Sequence, residues 1–342
     1  MLGAFNPGLV RLPDGNLLLM VRVAEALAEP VAGGAVRSIR WTPDGYTLDA
    51  WPLDQVDMTD PRQFELPGRA HRMLALTSLS WLLPVELSPD GRQVVAVHYD
   101  RAIEPVASWQ QFGIEDARIS RIDGRYWMTS CVVGSERHGT ALHVSEDGIA
   151  WMPQGLVLDH QNKDMVLFEG RIGGMVMALT RPLGELWFAE PPGSPFAGGP
   201  SINLARSPDG LHWKPLEQPL IRPRAGSPFA MKVGGGTPPV LTDGGWLTIW
   251  HGVERRGAVG VYRSFWALLD AHEPWRIVGG DDEVPLLEAS PALTAPIADR
   301  LYLPSPVVFS TGIADGGDHW IVASGEADLA CRMSFIPKAR FA

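Results

Sequence analysis

The chain has 342 residues, of which 37 are glycine and 30 are proline, and this content of helix-disfavouring residues excludes a helix-rich fold. A hydrophobic fraction of 45% and a charged fraction of 20% exclude intrinsic disorder. The net charge of −10, without any run of like charges, argues against nucleic-acid and anionic-membrane partners. Cys131 and Cys331 are too few for a disulfide framework, and no metal-ligand spacing occurs, so we expect no metal site.

The chain is predicted to form one domain, residues 1–342, because it is long enough to bury a large core and contains no dividing linker. Its first residues carry no basic region followed by an apolar core, and no apolar stretch is long enough to span a bilayer. We therefore expect a soluble, cytoplasmic protein without a membrane partner. Whether it forms a homo-oligomer stays open.

Short strand-like runs separated by turn residues follow one another along the chain, and only residues 263–270 could form a helical turn. A recurring phrase that ends in Asp-Gly suits tight hairpins, since glycine accepts positive φ. Many short strands with repeated turns predict an all-β fold, a five-bladed β-propeller, with a β-sandwich or solenoid as alternatives. The strand-like runs are 17–23, 92–98, 126–133, 174–179, 245–250 and 319–323, and the turns are 42–45, 88–91, 145–148 and 207–210.

The strongest candidate for a catalytic segment spans residues 113–120, where Glu115 and Asp116 are adjacent and Arg118 follows. Because neighbouring strand residues point to opposite faces, we expect Glu115 and Asp116 to have different roles. Two interpretations stay open. Arg118 forms an ion pair with one carboxylate where the strand begins, or one carboxylate points into the central funnel and acts as an acid.

Cationic residues mark three further phrases. Lys163 and Arg181 could hold an anion such as phosphate, or they could be surface charges neutralised by Asp164. Lys232 begins a glycine-rich run that lacks the strand-to-helix context and the terminal Lys-Ser/Thr of a phosphate-binding P-loop. His251 follows alternating apolar residues, so it is either a hydrogen-bonded histidine at a strand end or a ligand contact.

Taken together, these phrases resemble glycoside hydrolase family 130, which comprises β-mannoside phosphorylases and β-mannosidases built on five-bladed β-propellers. Any one phrase is weak, but their order and spacing hold over nearly the whole chain. The resembling segments are residues 5–8, 76–80, 114–118, 162–168, 181–182, 207–213, 232–239, 245–253, 285–288 and 307–309.

The resemblance implies a function and roles for single residues. Asp116 stands where the family has the aspartate of Glu-Asp-Pro-Arg, so the resemblance implies that it is the general acid of an inverting reaction, acting through a substrate hydroxyl. The substrate is then an oligosaccharide or disaccharide, with inorganic phosphate as a co-substrate and no other cofactor. Residues implied to bind the mannosyl unit are Asn6, Arg22, Asp60, His251 and Asp328, and those at the phosphate or base position are Lys163, Asp164, Arg181 and Lys232.

This chain departs from the family pattern at several positions. Ala117 replaces the proline of Glu-Asp-Pro-Arg, and Lys163-Asp164 stands where the phosphorylases commonly have Arg-Asn. The histidine that follows the Arg-Pro phrase in phosphorylases is missing, as is the strand region that family members have ahead of Phe5. Either the start is trimmed or the closing blade is built differently.

These departures leave two reactions open, with phosphorolysis to mannose 1-phosphate favoured over hydrolysis. Hydrolysis needs a carboxylate base to activate water, and a non-catalytic sugar-binding propeller is a third possibility. The candidate bases are Glu136, Asp164, Glu169 and Glu185.

The 13 tryptophans divide into two predicted groups. Trp151 and Trp213 follow Asp-Gly turns and are expected to contribute to blade packing. Aromatic faces also stack on sugars, and the tryptophans nearer the funnel phrases are Trp81, Trp109, Trp187 and Trp250.

Overall fold

The computed structural model describes residues 1–184 and 186–341, and over these residues the chain is mostly β-strand, which confirms the all-β class. The described helical structure is limited to one turn, α1 (Pro291–Thr294), and to 3-10 segments at Leu53–Gln55, Tyr99–Arg101, Ser108–Gln110, Ala295–Arg300 and Lys338–Phe341. The strands are β1 (Gly3–Arg11), β2 (Leu17–Ala26), β3 (Val31–Ala32), β4 (Ala35–Thr42), β5 (Gly45–Pro52), β6 (Gln63–Glu65), β7 (Leu74–Leu76), β8 (Ser78–Leu87), β9 (Val94–Val97), β10 (Gly113–Ile122), β11 (Arg125–Val133), β12 (His138–Ser145), β13 (Met152–Leu158), β14 (Asn162–Ile172), β15 (Met175–Pro182), β16 (Ile202–Ser207), β17 (Lys214–Ile221), β18 (Lys232–Gly235), β19 (Val240–Thr242), β20 (Gly245–Glu254), β21 (Val261–Leu269), β22 (Ile277–Asp281), β23 (Val308–Asp315), β24 (His319–Glu326) and β25 (Ala330–Pro337).

In the described chain the strands fall into five consecutive groups: β1, β2, β8 and β9; β10 to β13; β14 to β17; β18 to β22; and β23 to β25. Neighbouring strands within each group pair in antiparallel fashion, and a small arm of β3 to β7 lies between β2 and β8. One parallel contact, between Gly113 and Ser80, joins the first two groups into a single sheet. A Cβ atom at Gly113 would lie 2.1 Å from the Ser80 carbonyl oxygen, so this close approach requires glycine.

The first strands of the five groups lie beside one another. β1 contacts β10 and β23, β10 contacts β14, and β14 contacts β18 and β19. Apolar clusters fill the spaces between neighbouring groups, and one of them joins the last group to the first. Pairs that represent these clusters in chain order are Met20 and Ile119, Leu142 and Leu167, Phe168 and Trp246, Ile249 and Val322, and Leu19 and Ile321.

The predicted strands and Asp-Gly turns are confirmed, since every predicted run overlaps a strand and the four phrases join β4 to β5, β8 to β9, β12 to β13 and β16 to β17. In the last of these turns, Asp209 Oδ1 accepts hydrogen bonds from the backbone of Leu211 and His212. Trp213 and Trp151 pack against apolar clusters, as expected.

Residues 263–270, which could have formed at most one helical turn, do not form one, because residues 261–269 form β21 between β20 and β22. Its alternating side chains bury Phe265 and Ala267 against one cluster and Trp266 against the next. No helix among the described residues has the length and apolar character needed to cross a membrane.

Candidate active site

A cavity of about 250 Å³ opens where the first strands of the five groups meet, and β1, β10, β14, β18 and β23 each contribute a lining residue. Eight of the ten predicted site residues line it, whereas Asp60 and His251 do not. Its charged and hydrogen-bonding side chains are Asn6, Arg22, Arg62, Gln63, Thr77, Ser78, Glu115, Asp116, His138, Lys163, Asp164, Arg181, Lys232, Tyr262, Tyr302 and Asp328.

Three polar residues of the cavity occupy equivalent positions in three groups. Asn6, Asp116 and Asp164 have left-handed backbone conformations, with φ of 48°, 51° and 57°. Each lies where its first strand shifts register against the next strand, as in a β-bulge. A bulge re-aims side chains, and Asn and Asp tolerate positive φ better than most residues. Local backbone geometry therefore turns these three side chains into the cavity.

Asp116 lies in a network of hydrogen bonds and ion pairs. Asn6 Nδ2 donates to Asp116 Oδ1 at 2.9 Å, and Arg22 Nη1 lies 3.0 Å from the same oxygen. Arg22 Nη2 lies 2.8 Å from Glu115 Oε1, and Lys163 Nζ lies 2.8 Å from Glu115 Oε2. Burial alone would raise the pKa of Glu115, but Arg22 and Lys163 outweigh it and hold that pKa at about 2.

The expectation that Glu115 and Asp116 face opposite sides is wrong, because both carboxylates contact Arg22. The bulge between Glu115 and Arg118 breaks the alternation on which the expectation rested. An ion pair of Arg118 with either carboxylate is also absent from the described contacts. Arg118 instead donates to the backbone carbonyls of Asp116 and Gly236, at 2.5 and 2.8 Å.

Asp164 anchors a second, buried cluster. Its Oδ2 lies 2.6 Å from Arg181 Nη1 and 3.5 Å from His251 Nε2, and its Oδ1 lies 3.6 Å from Arg118 Nη2. His251 is completely buried and accepts a hydrogen bond from Arg181 at 3.0 Å, so it supports the cavity wall and does not line it. Burial, reinforced by Arg181 and Lys232, places the pKa of His251 well below its usual value. Gly234 leaves room for this cluster, since a Cβ there would lie 2.5 Å from Asp164 Oδ2.

Asp60 does not reach the cavity because Arg62 engages it. Its carboxylate accepts hydrogen bonds from the Arg62 side chain at 2.7 and 3.0 Å, and Arg62 lines the cavity. Arg62 and Lys232 both act on Tyr262. Burial alone would raise the pKa of this phenol, but the two cations outweigh it and lower the pKa to about 8.

Asp328 also lines the cavity and has a left-handed φ of 49°. Burial raises the pKa of its carboxyl, and Arg62 and Arg22 only partly oppose this effect. The hydroxyl of Tyr302 donates to the backbone carbonyl of Asp328 at 3.4 Å. Asp328 therefore provides a carboxyl with a raised pKa beside two cations, an arrangement suited to binding hydroxyl groups.

Outside the resembling segments, sequence reasoning missed five polar residues of the cavity: Arg62, Gln63, His138, Tyr262 and Tyr302. Arg62 and Gln63 could have been found as near neighbours of Asp60. The other three lie outside the phrases that were singled out as sites of chemistry, and no sequence signal brings them together.

The three predicted bases that the structure describes are either paired with an arginine or do not line the cavity. Glu136 has a highly exposed side chain that pairs with Arg137, and Glu169 does not line the cavity. Asp164 is held by Arg181, and Glu185 lies outside the described residues. In the described parts of the chain, no group of three His, Cys, Asp or Glu residues could hold a metal ion.

Comparisons with known proteins show which family this chain resembles. A family model described as beta-1,4-mannooligosaccharide phosphorylase matches residues 78–340. Beta-1,2-mannobiose phosphorylase of Listeria innocua is 30% identical over 96% of this chain and 87% of its own length. The 1,2-beta-oligomannan phosphorylase of Thermoanaerobacter sp. strain X514 is 32% identical over 73% of this chain and 76% of its own.

A solved structure, the Listeria innocua beta-1,2-mannobiose phosphorylase with beta-1,2-mannobiose, superposes with a TM-score of 0.82 at 28% identity. The superposition covers 99% of this chain and 90% of that chain. The family match extends over most of the chain, and the superposition extends over nearly all of it. The chain therefore belongs to glycoside hydrolase family 130, a family of mannoside phosphorylases and glycoside hydrolases.

Proposed function

We propose that this protein cleaves β-1,2-linked mannosides by phosphorolysis and releases mannose 1-phosphate. The observation that carries the proposal is the set of three cations, Lys163, Arg181 and Lys232, that line the same cavity as Asp116. Lys163 and Arg181 are cross-strand neighbours on β14 and β15. The β-1,2 linkage is proposed because the relatives at 28–32% identity are named for it.

The proposed reaction divides the cavity between two ligands. Asn6, Arg22 and Asp328 bind the mannosyl unit, while Lys163, Arg181 and Lys232 hold inorganic phosphate. A phosphate oxygen attacks the anomeric carbon, the bond from that carbon to the glycosidic oxygen breaks, and Asp116 supplies the proton to the leaving oxygen through a sugar hydroxyl. The products are α-mannose 1-phosphate and a mannoside shortened by one unit.

Asp116 has to carry a proton for this step. Burial raises its pKa, but Arg22, Arg118 and Lys163 together outweigh burial in the free protein, and the net pKa lies below its usual value. A phosphate anion bound at Lys163 adds negative charge near Asp116 and so opposes the effect of Arg22. We infer that phosphate binding promotes protonation of Asp116 and couples the two substrates.

Asp60 and His251 support this site indirectly. Asp60 orients Arg62 and His251 orients Arg181, so neither residue is expected to touch substrate. Hydrolysis remains the second candidate because the family includes hydrolases. Hydrolysis is disfavoured because Glu115 pairs with Lys163 and Asp164 pairs with Arg181, so neither carboxylate is free to act as the base that activates water.

We also propose that the whole chain is one domain, a closed five-bladed propeller. The five strand groups support this architecture. So does the apolar cluster that joins Leu19 of the first group to Ile321 of the last.

The test is an assay of β-1,2-mannobiose with and without phosphate, using the wild type and Asp116→Asn. Mannose 1-phosphate that forms only with phosphate is expected, and Asp116→Asn is expected to lower the rate about 10²–10⁴-fold. Asp49→Asn, which alters an ion pair in the arm, serves as the matched control. Phosphorolysis of mannobiose releases one mannose with each mannose 1-phosphate, so free mannose that forms without phosphate would indicate a hydrolase. Binding without any product would indicate a sugar-binding protein. Full activity of Asp116→Asn would refute its role as the acid.

A further inference from the structure

An open groove of about 1050 Å³ adjoins the cavity and is about four times as large. The two share five lining residues, so they form one continuous space. The groove extends from the cavity over the loop between β11 and β12 and over the segment that follows β15. The shared residues are Leu76, His138, Arg181, Leu183 and Lys232.

Trp187 provides an uncovered aromatic face in this groove. Trp81, Trp109 and Trp250, which were also expected near the funnel, pack against apolar clusters. Trp187 is 44% exposed and lies beside Gly184 and Gly198, neither of which has a side chain to cover the indole. An exposed tryptophan that lines a groove offers the flat apolar face on which a sugar ring stacks.

His138 lies where the groove meets the cavity and presents a hydrogen-bond acceptor. Gln161 Oε1 lies 3.3 Å from the backbone N–H of His138 and 3.2 Å from its Nδ1. Because this oxygen accepts from both groups, Nδ1 carries the proton and Nε2 keeps its lone pair. Burial, with a contribution from Lys163, lowers the pKa of His138 to about 4, so the ring is neutral near pH 7.

We propose that the groove binds the leaving-group part of a β-linked mannooligosaccharide, and this proposal rests on the proposed function. One sugar ring stacks on Trp187, and one sugar hydroxyl donates a hydrogen bond to His138 Nε2. A neutral acceptor suits a sugar hydroxyl and repels an anion. The cations of the groove are also partly neutralised, since Arg137 pairs with Asp159 and Glu136. Away from Arg181 and Lys232, which it shares with the cavity, the groove therefore favours a neutral sugar chain over free phosphate. The enzyme is expected to prefer chains longer than the disaccharide.

The test measures binding of β-1,2-mannobiose and β-1,2-mannotetraose by calorimetry to Asp116→Asn protein, in which cleavage is suppressed. Adding Trp187→Ala is expected to weaken tetraose binding about fivefold to tenfold and to leave mannobiose binding unchanged. Trp187→Phe, which keeps a flat ring, should recover most of the affinity. Trp275→Ala removes an equally exposed tryptophan that lines none of the described cavities and should change neither affinity.

Equal losses for both sugars, or no loss for either, would overturn the proposal. So would a Trp187→Ala enzyme in which only the KM for phosphate rises, since the groove would then serve the anion. Failure of the proposed function shows separately, as absence of mannose 1-phosphate in the wild-type assay. Binding of tetraose that depends on Trp187 can be measured in either case.

Discussion

Asp164 is the residue at which phosphate binding can be changed most directly, because its carboxylate competes with phosphate for Arg181. The pair is buried, with Asp164 Oδ2 2.6 Å from Arg181 Nη1 and both side chains less than a tenth exposed. Asp164→Asn removes one negative charge but keeps a side-chain oxygen that can lie beside Arg181. The substitution therefore tests charge and largely preserves shape.

The expected effects on affinity and stability have opposite signs. At an effective dielectric constant of about 20, two unit charges about 6 Å apart interact by roughly 3 kcal/mol. Screening at the open cavity reduces this value, so we expect about 1.4 kcal/mol or more, which is at least a tenfold lower KM for phosphate. Loss of the charge from a buried pair costs about 3–5 kcal/mol, and the retained acceptor places the expected loss of stability near 3 kcal/mol.

The assay records initial rates against phosphate at a fixed mannobiose concentration, alongside urea unfolding of the same samples. Asp49→Asn removes a carboxylate that pairs with Arg40 in the arm, away from the cavity, and should leave the KM for phosphate unchanged. An unchanged or higher KM for phosphate in a folded Asp164→Asn protein would refute the reasoning. It would mean that Asp164 acts by orienting Arg181 and not by its charge.

Two further predictions concern pH. Above pH 8 the Tyr262 phenol ionises and adds a negative charge beside Lys232 and Arg62. The KM for phosphate should therefore rise through pH 8 in the wild type. The Tyr262→Phe variant should show no such rise. Burial lowers the pKa of His143 from 6.5 to about 4, so the unfolded state binds more protons between these values and stability falls as pH decreases through that window. His143→Leu should abolish about 3 kcal/mol of this acid-induced loss in the free energy of unfolding, measured with urea. If the free energy of unfolding of the variant depended on pH as that of the wild type does, the assignment to His143 would be contradicted.

The strands and turns could be predicted because their signals are local. An Asp-Gly phrase needs only its own few residues to form a hairpin, as the hydrogen bonds of Asp209 to Leu211 and His212 illustrate. Most of the site could be predicted for a different reason. Residues such as Asn6, Asp116 and Asp164 stand in phrases that resemble one family, and the resemblance carried information that spacing alone does not.

The orientation of the site residues could not be predicted, because it depends on backbone irregularities. Period-two alternation separates Glu115 from Asp116, yet a bulge at this point brings both to Arg22. The equivalence of Asp164 to Asp116 has the same origin, since each residue lies at the register shift of its strand. Nothing in either phrase marks the bulge other than an aspartate that tolerates positive φ.

The charges of the cavity explain why Asp164 should dominate phosphate affinity. Lys163 and Arg181 each contact a carboxylate at 2.8 Å or less, so phosphate has to compete for both. Among the described residues no carboxylate pairs with Lys232, whose ammonium lies over the Tyr262 ring, and burial lowers its pKa. A bound phosphate thus supplies Lys232 with a counter-ion but displaces Asp164 from part of Arg181. The overall charge of −10 says little about this balance, because the competing groups lie within a few ångströms of one another.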